Sequence, residues 1–336
     1  GEGGILGGQA QIPILGHPMA PAEDPQQSPQ HPAAAFRRHG TSPFRVPEGR
    51  TLSPMDGTPT ARIVRALTED NRIRLAVVDA SPLWDGVRRG HPHLAAEACA
   101  RLTEVLTATL LLQSRSVFAE RLQVLLRGAG RAKAIVGDAW PDGLVRGMLD
   151  EAEGPEGVAW IEPPGLFQVM RSGLRGEPSI GHLPLVPGGV AAQAEHYLQQ
   201  SEQIQASVTV WCEPDTGHAG GLLVEPLPDC PPERLARLID ALEGLEVVPA
   251  WERDPEFLLR WVNQGGNPSV LSTTEVAYRC RCSRTSLMEV LATFSGARRA
   301  EVFPEGADTA QVRCDYCGAT YEISRAELPG GADHGA

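Results

Sequence analysis

The sequence lacks the features of a membrane-spanning or secreted protein. No run of about 18 apolar residues occurs in its 336 residues, so no helix that spans a bilayer is predicted. The N-terminal residues also lack the basic start, apolar stretch and small-residue cleavage box of a secretory signal. We therefore expect a cytoplasmic protein without a membrane partner.

Catalytic motifs are absent as well. The chain contains no Gly-x-Ser-x-Gly, no Walker phosphate loop and no His-Glu-x-x-His. The turn at Gly128-Ala129-Gly130 lacks the third glycine of a nucleotide-binding loop, and a predicted strand follows it instead of a helix. The nine histidines are scattered, and His91 and His93 flank Pro92 at a predicted helix start, where capping explains them better than catalysis. The sequence therefore predicts no enzyme.

Basic residues are fewer than acidic residues in this sequence. The chain has 30 lysines and arginines against 42 acidic residues, for a formal net charge of −12. This balance argues against nucleic acid or an anionic membrane surface as a partner. A hydrophobic content of 42% and a charged content of 21% are typical of a globular protein, and the length allows two or more structural units.

Four of the seven cysteines form two close pairs near the C-terminus. Cys280-x-Cys282 is followed about 30 residues later by Cys314-x-x-Cys317, and Gly318 completes a Cys-x-x-Cys-Gly turn. Structural zinc sites usually have four protein ligands in a tetrahedron, and four thiolates satisfy that requirement. The pattern predicts one zinc ion per chain and fits a reducing compartment better than a disulfide scaffold.

The first pair is unusual because zinc ribbons ordinarily use Cys-x-x-Cys twice. Residues i and i+2 of an extended chain lie roughly 6.5–7 Å apart, so a bond between Cys280 and Cys282 is possible but strained. Strained disulfides are reducible and tend to be regulatory. Arg279, Arg281 and Arg284 flank the pair, and positive charge favours the reactive thiolate. A purely structural zinc site remains an equal alternative at this point.

Composition divides the rest of the chain. Residues 1–60 are rich in proline and glycine without a sustained apolar period, so we expect a disordered tail there. A short flexible tail is expected at 329–336. A core helix is predicted at 92–113, with Pro92 in its first turn, and a second helix at 189–203. Period-two patterns predict strands at these positions: 72–79, around Val87, 121–127, 132–136, from Val145, 165–180, 183–186, 206–212 and 219–224.

Two short amphipathic helices are predicted between this region and the cysteines, at 231–245 and 254–263, and another at 285–294. Isolated helices of fewer than about 12–15 residues are marginal in water. The first two must therefore lie on an apolar surface. Of the remaining cysteines, Cys99 is predicted to be a small buried hydrophobic residue, and Cys212 and Cys230 have no assigned role.

Several motifs together resemble the heat shock protein 33 family of redox-regulated bacterial chaperones. The resemblance extends over roughly 63–328, although residues 1–60 have no counterpart and S-I-G-H-L-P-L replaces a Tyr-x-Gly stretch common in the family. It rests on the following segments: Cys280-x-Cys282-Ser283-Arg284, Cys314-Asp315-Tyr316-Cys317-Gly318, L-L-R-G-A-G at 125–130, V-R-G at 145–147, H-Y-L-Q-Q-S-E-Q-I at 196–204 and A-G-G-L-L-V-E-P-L-P at 219–228.

The resemblance implies an α+β protein in three parts. These are an N-terminal α/β chaperone domain at 61–228, a helical redox-responsive linker at 229–275 and a four-cysteine zinc domain at 276–328. The reduced, zinc-bound protein would be an inactive or weakly active monomer. Oxidation would join Cys280 to Cys282 and Cys314 to Cys317, expel zinc, unfold the linker and give a homodimer that holds unfolding client proteins without ATP.

Other functions use the same cysteines. A zinc-containing thiol–disulfide oxidoreductase would turn over with a reductant, whereas a sensor reacts stoichiometrically. A zinc ribbon with a structural metal only would show no redox response. A nucleic-acid-binding ribbon is disfavoured because acidic residues outnumber arginines across 301–327.

Overall fold

The computed structural model describes residues 61–116, 121–151, 159–173, 177–304 and 306–328, together with the backbone of Ile12–Ile14. Most of the predicted disordered tail and all of 329–336 therefore lie outside the described residues. Within the segment expected to be disordered, Ile12–Ile14 forms a strand. Within the described ranges, no helix is both long and apolar enough to cross a membrane.

A ten-stranded sheet organises most of the described chain, in the order β8-β7-β4-β5-β6-β11-β2-β3-β10-β9. Its neighbouring strands are antiparallel except for β11 and β6, which are parallel and share only two residue pairs. The strands are β2 (Ala61–Leu67), β3 (Ile73–Asp79), β4 (Arg121–Ala129), β5 (Ala132–Ala139), β6 (Leu144–Glu151), β7 (Glu162–Ser172), β8 (Ser179–Pro184), β9 (Ser207–Cys212), β10 (Ala219–Pro226) and β11 (Ser269–Tyr278).

Three helices lie with the main core: α1 (Ser81–Gly90), α2 (Ala96–Gln113) and α3 (Val190–Ser201). The central helix α2 is buried over most of its length. The hydroxyl groups of its buried threonines donate hydrogen bonds to backbone carbonyls of the preceding turn. Thr107 Oγ1, for example, donates to the Thr103 carbonyl at 2.8 Å. This bonding satisfies polar groups that would otherwise be costly in a core. The predicted α+β class and the predicted core helix are confirmed.

Two predictions about the α1 region are wrong. The segment around Val87 is helical rather than extended, because Leu83, Trp84 and Val87 recur on one buried face and Pro82 starts the helix. Pro92 is not in the first turn of α2, which begins at Ala96.

The linker helices α4 (Pro232–Gly244) and α5 (Pro255–Val262) cover one face of the sheet. Successive strand residues point to opposite faces of the sheet, and α2 covers the face opposite to the one that α4 and α5 cover. Apolar side chains fill the contact, with exposures below one tenth. They are Leu238, Leu245, Leu258, Leu259 and Val262 from the linker against Val64, Leu75, Val77, Leu222 and Val224 from the strands. The two predicted linker helices and their need for an apolar support are confirmed.

The expected linker is not helical throughout. Its last part, Ser269–Glu275, belongs to β11, which pairs with β2 and continues to Tyr278. Three β-branched residues, Val270, Thr273 and Thr274, favour the extended chain. The first cysteine pair therefore follows directly from a strand of the large sheet.

The C-terminal residues form a small unit of their own around a second sheet. Helices α6 (Arg284–Ala292) and α7 (Gly296–Val302) precede strands β12 (Thr309–Cys314) and β13 (Thr320–Ser324). Strand β1 (Ile12–Ile14) runs parallel to β12 and completes this three-stranded sheet. Leu291, Phe303 and Ile323 are almost fully buried in its core.

Candidate metal centre

The chain brings the four predicted cysteines together from two directions. Cys280 and Cys282 follow the end of β11, whereas Cys314 ends β12. Cys317 lies in the turn before β13, which closes when the Gly318 amide donates to the Cys314 carbonyl at 2.8 Å. Gly318 has a φ of 71°, a conformation that glycine adopts without strain. The turn therefore directs both of its sulfur atoms to one side.

The sulfur positions fit a tetrahedral metal. Cys280 Sγ lies 3.7 Å from Cys314 Sγ, and Cys282 Sγ lies 3.4 Å from Cys317 Sγ. All four sulfurs lie within 4.8 Å of one another. Zinc–sulfur bonds of about 2.3 Å in a tetrahedron would place sulfurs about 3.8 Å apart. The four close cysteines could therefore hold one metal ion, and an all-thiolate donor set suits zinc.

The cysteine cluster rests on an apolar part of the large sheet. Cys314 and Tyr316 are buried against Leu125, Val136 and Met148, which come from β4, β5 and β6. The residues around the cluster thus belong partly to the C-terminal unit and partly to the main sheet. A change in the position of the cysteines would expose this apolar contact to water.

A cation from the large sheet contacts the cluster. Arg146 Nη1 donates to Cys280 Sγ at 3.7 Å, and its guanidinium carbon lies 4.1 Å from the centre of the Tyr316 ring. Hydrogen bonds from Cys314 and Cys317, together with the one from Arg146, hold the pKa of Cys280 well below its usual range. A low pKa favours the thiolate, which is the form that binds metals and reacts with oxidants.

The flanking arginines interact elsewhere. Arg281 forms an ion pair of 2.6 Å with the exposed Asp142, and Arg284 pairs with Glu327. The sequence reasoning identified positive charge beside the cysteines but missed Arg146, which is distant along the chain. The L-V-R-G segment around it gave no signal of this contact.

Tyr278 connects the cluster to the main core. Its hydroxyl donates to the Tyr316 carbonyl and lies 2.8 Å from His91 Nε2. Gly86 and Gly90 of α1 leave room for its ring, since a Cβ at Gly86 would lie 2.5 Å from Tyr278 Cβ. Burial lowers the pKa of His91 to about 4, so this imidazole is neutral at pH 7. The sequence predicted capping at a helix start for His91. Its backbone amide instead caps the C-terminal end of α1, and its ring is part of this contact.

The other three cysteines lie outside the cluster. Cys99 is buried as predicted, with 1% of its surface exposed, and burial raises its pKa. Cys212 is also buried, and desolvation raises its pKa to about 12. Thiols of this kind are mostly protonated and therefore unreactive.

Known proteins resemble this chain over most of its length. A family model described as Hsp33 protein matches residues 61–324. The 33 kDa chaperonin of Thermus thermophilus is 30% identical over 293 residues, covering 80% of this chain and 85% of its own. The 33 kDa chaperonin of Clostridioides difficile is 28% identical over 286 residues, covering 79% of this chain and 96% of its own.

A solved structure has the same fold. The 33 kDa chaperonin (heat shock protein 33 homolog) of Thermotoga maritima superposes with a TM-score of 0.67 at 21% identity, covering 80% of this chain and 97% of its own. The family model spans far more than half of the sequence and includes all four cysteines of the cluster. The chain belongs to the Hsp33 family of chaperones.

Proposed function

We propose that this protein is a redox-regulated, ATP-independent holdase whose switch is a zinc centre formed by Cys280, Cys282, Cys314 and Cys317. The observation that carries the proposal is the location of the cluster. The four thiols meet on an apolar part of the sheet, directly after the strand that follows the linker helices. One bound zinc ion per chain would crosslink the two cysteine pairs.

The chemistry of the switch lies in the two pairs. Each pair of thiolates gives two electrons to one molecule of peroxide and forms one sulfur–sulfur bond, Cys280 to Cys282 or Cys314 to Cys317. The peroxide takes up two protons and leaves as two water molecules. The oxidised pairs no longer offer thiolate ligands, so nothing crosslinks one pair to the other.

The size of the zinc-binding free energy supports a large structural change when zinc is lost. Apparent zinc-binding free energies of about 10–16 kcal/mol in four-ligand peptides equal or exceed the roughly 5–15 kcal/mol net stability of whole domains. The C-terminal unit has a core of only a few buried side chains. We therefore expect residues 276–328 to unfold when their crosslink is lost.

Unfolding of residues 276–328 would in turn release the two linker helices from the sheet. Helices α4 and α5 have 13 and 8 residues and depend on their contact with the sheet. Their departure would expose the apolar side chains of β2, β3 and β10, such as Leu75 and Leu222. Such a surface suits the apolar segments of unfolding client proteins. It would also allow two oxidised chains to form a homodimer, whereas the reduced chain would be a monomer.

The same proposal includes the division of the chain. A chaperone domain at 61–228, a linker at 229–275 and a zinc switch domain at 276–328 would act in the cytoplasm, whose reducing conditions keep the thiols free. The two linker helices support this division because they form a distinct layer over the sheet, whereas Ser269–Glu275 at the end of the linker lies within the sheet.

One experiment tests the proposal against its alternatives. Zinc content, protease protection of 232–262 and suppression of client aggregation are measured before and after peroxide or hypochlorite treatment. The holdase predicts zinc release, loss of protection and a gain of client protection together. Zinc that stays bound after oxidation would indicate a structural metal only. Multiple turnovers with a reductant would indicate an oxidoreductase.

A further inference from the structure

Arg146 stands apart from the other cations near the metal centre because it belongs to the large sheet. It comes from β6, far along the chain from the cysteines, yet its Nη1 donates to Cys280 Sγ at 3.7 Å. Its guanidinium also lies 4.1 Å from the ring centre of Tyr316, between the second pair of cysteines. One side chain therefore contacts both halves of the site.

A fully buried carboxylate fixes the direction of this guanidinium. Asp138 has no exposed surface and accepts from Arg146 Nε at 2.9 Å. Arg121 and Gln123 donate to the other oxygen of the same carboxylate, at 2.7 and 2.9 Å. Because the guanidinium is planar, occupation of Nε by Asp138 orients Nη1 toward the sulfur.

We propose that Arg146 is a positioning residue that sets how readily the zinc centre is oxidised; this rests on the proposed function. A centre of four thiolates and one divalent ion carries two net negative charges, which a nearby guanidinium stabilises. A thiolate that accepts a hydrogen bond also becomes a weaker nucleophile, because the donor stabilises the lone pair that would attack the oxidant. Arg146 therefore slows the attack of Cys280 on the oxidant.

The contact has a second effect on the same event. By lying against Tyr316, Arg146 holds the Cys314–Cys317 turn on the sheet, with cation–ring attraction and buried contact area. Loss of the guanidinium would thus weaken both the sulfur contact and the docking of the turn. The oxidation step itself is the one given above, in which peroxide takes the electrons and two protons per pair.

Arg121 provides a matched control. It donates to the same Asp138 carboxylate, and 19% of its side chain is exposed, against 18% for Arg146. Among the contacts of the described residues, none joins Arg121 to a cysteine of the cluster. Arg121→Met and Arg146→Met each leave Asp138 one arginine partner, so their general structural cost is comparable.

The test measures zinc release from the reduced, zinc-loaded full chain at a series of peroxide concentrations, with a chromogenic chelator as the reporter. We expect Arg146→Met to release zinc about three- to tenfold faster than the unsubstituted protein, and Arg121→Met to stay within about twofold. Arg146→Lys should be intermediate, because lysine keeps the charge but not the planar geometry. Transfer of zinc to the chelator without oxidant should accelerate in the same order.

Equal rates for Arg146→Met and Arg121→Met would overturn the inference. If Arg146→Met does not fold with zinc, the comparison of Arg146→Lys with Arg121→Lys decides, and equal rates again overturn it. Failure of the unsubstituted protein to release zinc on oxidation would instead defeat the proposed function, and this inference with it. Release from the unsubstituted protein with no Arg146 effect would defeat the inference alone.

Discussion

Arg234 and Asp70 join the first linker helix to the turn between β2 and β3. Arg234 Nε lies 2.9 Å from Asp70 Oδ2, and the arginine is 93% buried while the Asp70 side chain is 43% exposed. Arg234 Nη2 also donates to the Val262 carbonyl at the end of α5. The same turn binds the residue after α5, because the Glu69 amide donates to Asn263 Oδ1 at 3.1 Å. One turn of the sheet thus holds both ends of the linker.

Asp70→Asn should loosen the linker while the metal centre stays intact. The substitution leaves the buried Arg234 guanidinium without its carboxylate, a loss that costs about 1–3 kcal/mol. We expect faster proteolysis within 232–262 of the reduced, zinc-loaded protein and some client protection without oxidant. Glu256→Gln is the control, since it breaks an exposed linker ion pair with Arg62, of a kind that contributes little. Equal proteolysis in the two variants would contradict the role of the turn.

Tyr278→Phe should weaken metal retention, because it removes the hydroxyl that joins the Tyr316 carbonyl to His91 in the main core. The phenyl ring still fills the space beside Gly86, but the bond to the Tyr316 carbonyl is lost. An unpaired buried carbonyl costs about 1–3 kcal/mol, so we expect about five- to 150-fold weaker zinc affinity in chelator competition. Tyr197→Phe, which removes a bond to Arg171 elsewhere in the core, should leave zinc affinity unchanged. A similar loss in both variants would mean a general effect on stability.

Gly86→Ala should destabilise the protein, although alanine is the better helix former by about 1 kcal/mol. The added Cβ would lie 2.5 Å from Tyr278 Cβ, and rotation of the side chain cannot relieve this contact because the position of a Cβ is fixed by its backbone. Overpacking of this kind costs about 1–3 kcal/mol, which we expect as a lower free energy of urea unfolding. Gly296→Ala is the comparison, because no atom of the described residues, apart from its chain neighbours and its own helix backbone, lies within 4 Å of the added Cβ. If Gly86→Ala left the free energy of unfolding unchanged, α1 and β11 would be shown to separate easily.

Glu104→Gln should remove a pH dependence of stability. Burial raises the pKa of Glu104 from 4.5 to about 7, although Arg101 lies 2.7 Å away. A raised carboxyl pKa stabilises the fold fully below pH 4.5, and this contribution is lost as the pH rises through about 7. Glu104→Gln should therefore be more stable than the unsubstituted protein at pH 8, by at most about 3 kcal/mol, and closer to it at pH 4.5. Thermal unfolding at pH 4.5 and at pH 8 measures this difference in stability. The same pH dependence of stability in Glu104→Gln and in the unsubstituted protein would contradict a raised pKa of Glu104.

Local patterns were sufficient for much of the fold and for the donor set. The spacing of Cys280, Cys282, Cys314 and Cys317 predicted their meeting, because ligand pairs on short turns leave few other arrangements. The amphipathic period of α4 and α5 likewise predicted two short helices that need an apolar support. In both cases the information lies within one segment of the chain.

The remaining features depend on contacts between distant segments. Arg146 reaches Cys280 only because β6 and β11 are neighbours in the sheet, an order that no local pattern contains. The segment around Val87 was predicted as a strand because it has too few apolar residues to show a clear helical period. The helix that forms there packs against Tyr278, which is distant along the chain. Strand β11 was missed because a long linker with two helices suggested a continuous helical segment.

The short pairing of β11 with β6 divides the large sheet into two five-stranded halves, and α2 packs against both of them. Ala277 and Tyr278 form the two ladder pairs of this seam, and the Arg279 amide adds a hydrogen bond to the Val145 carbonyl at 2.8 Å. Cys280 comes two residues after Tyr278. Any force that draws the first cysteine pair away from the sheet acts at the end of this seam. Opening it would leave the inner edges of β6 and β11 unpaired, and unpaired edges bind extended polypeptide through backbone hydrogen bonds. The cysteine cluster thus lies at the end of the shortest strand pairing in the described part of the large sheet.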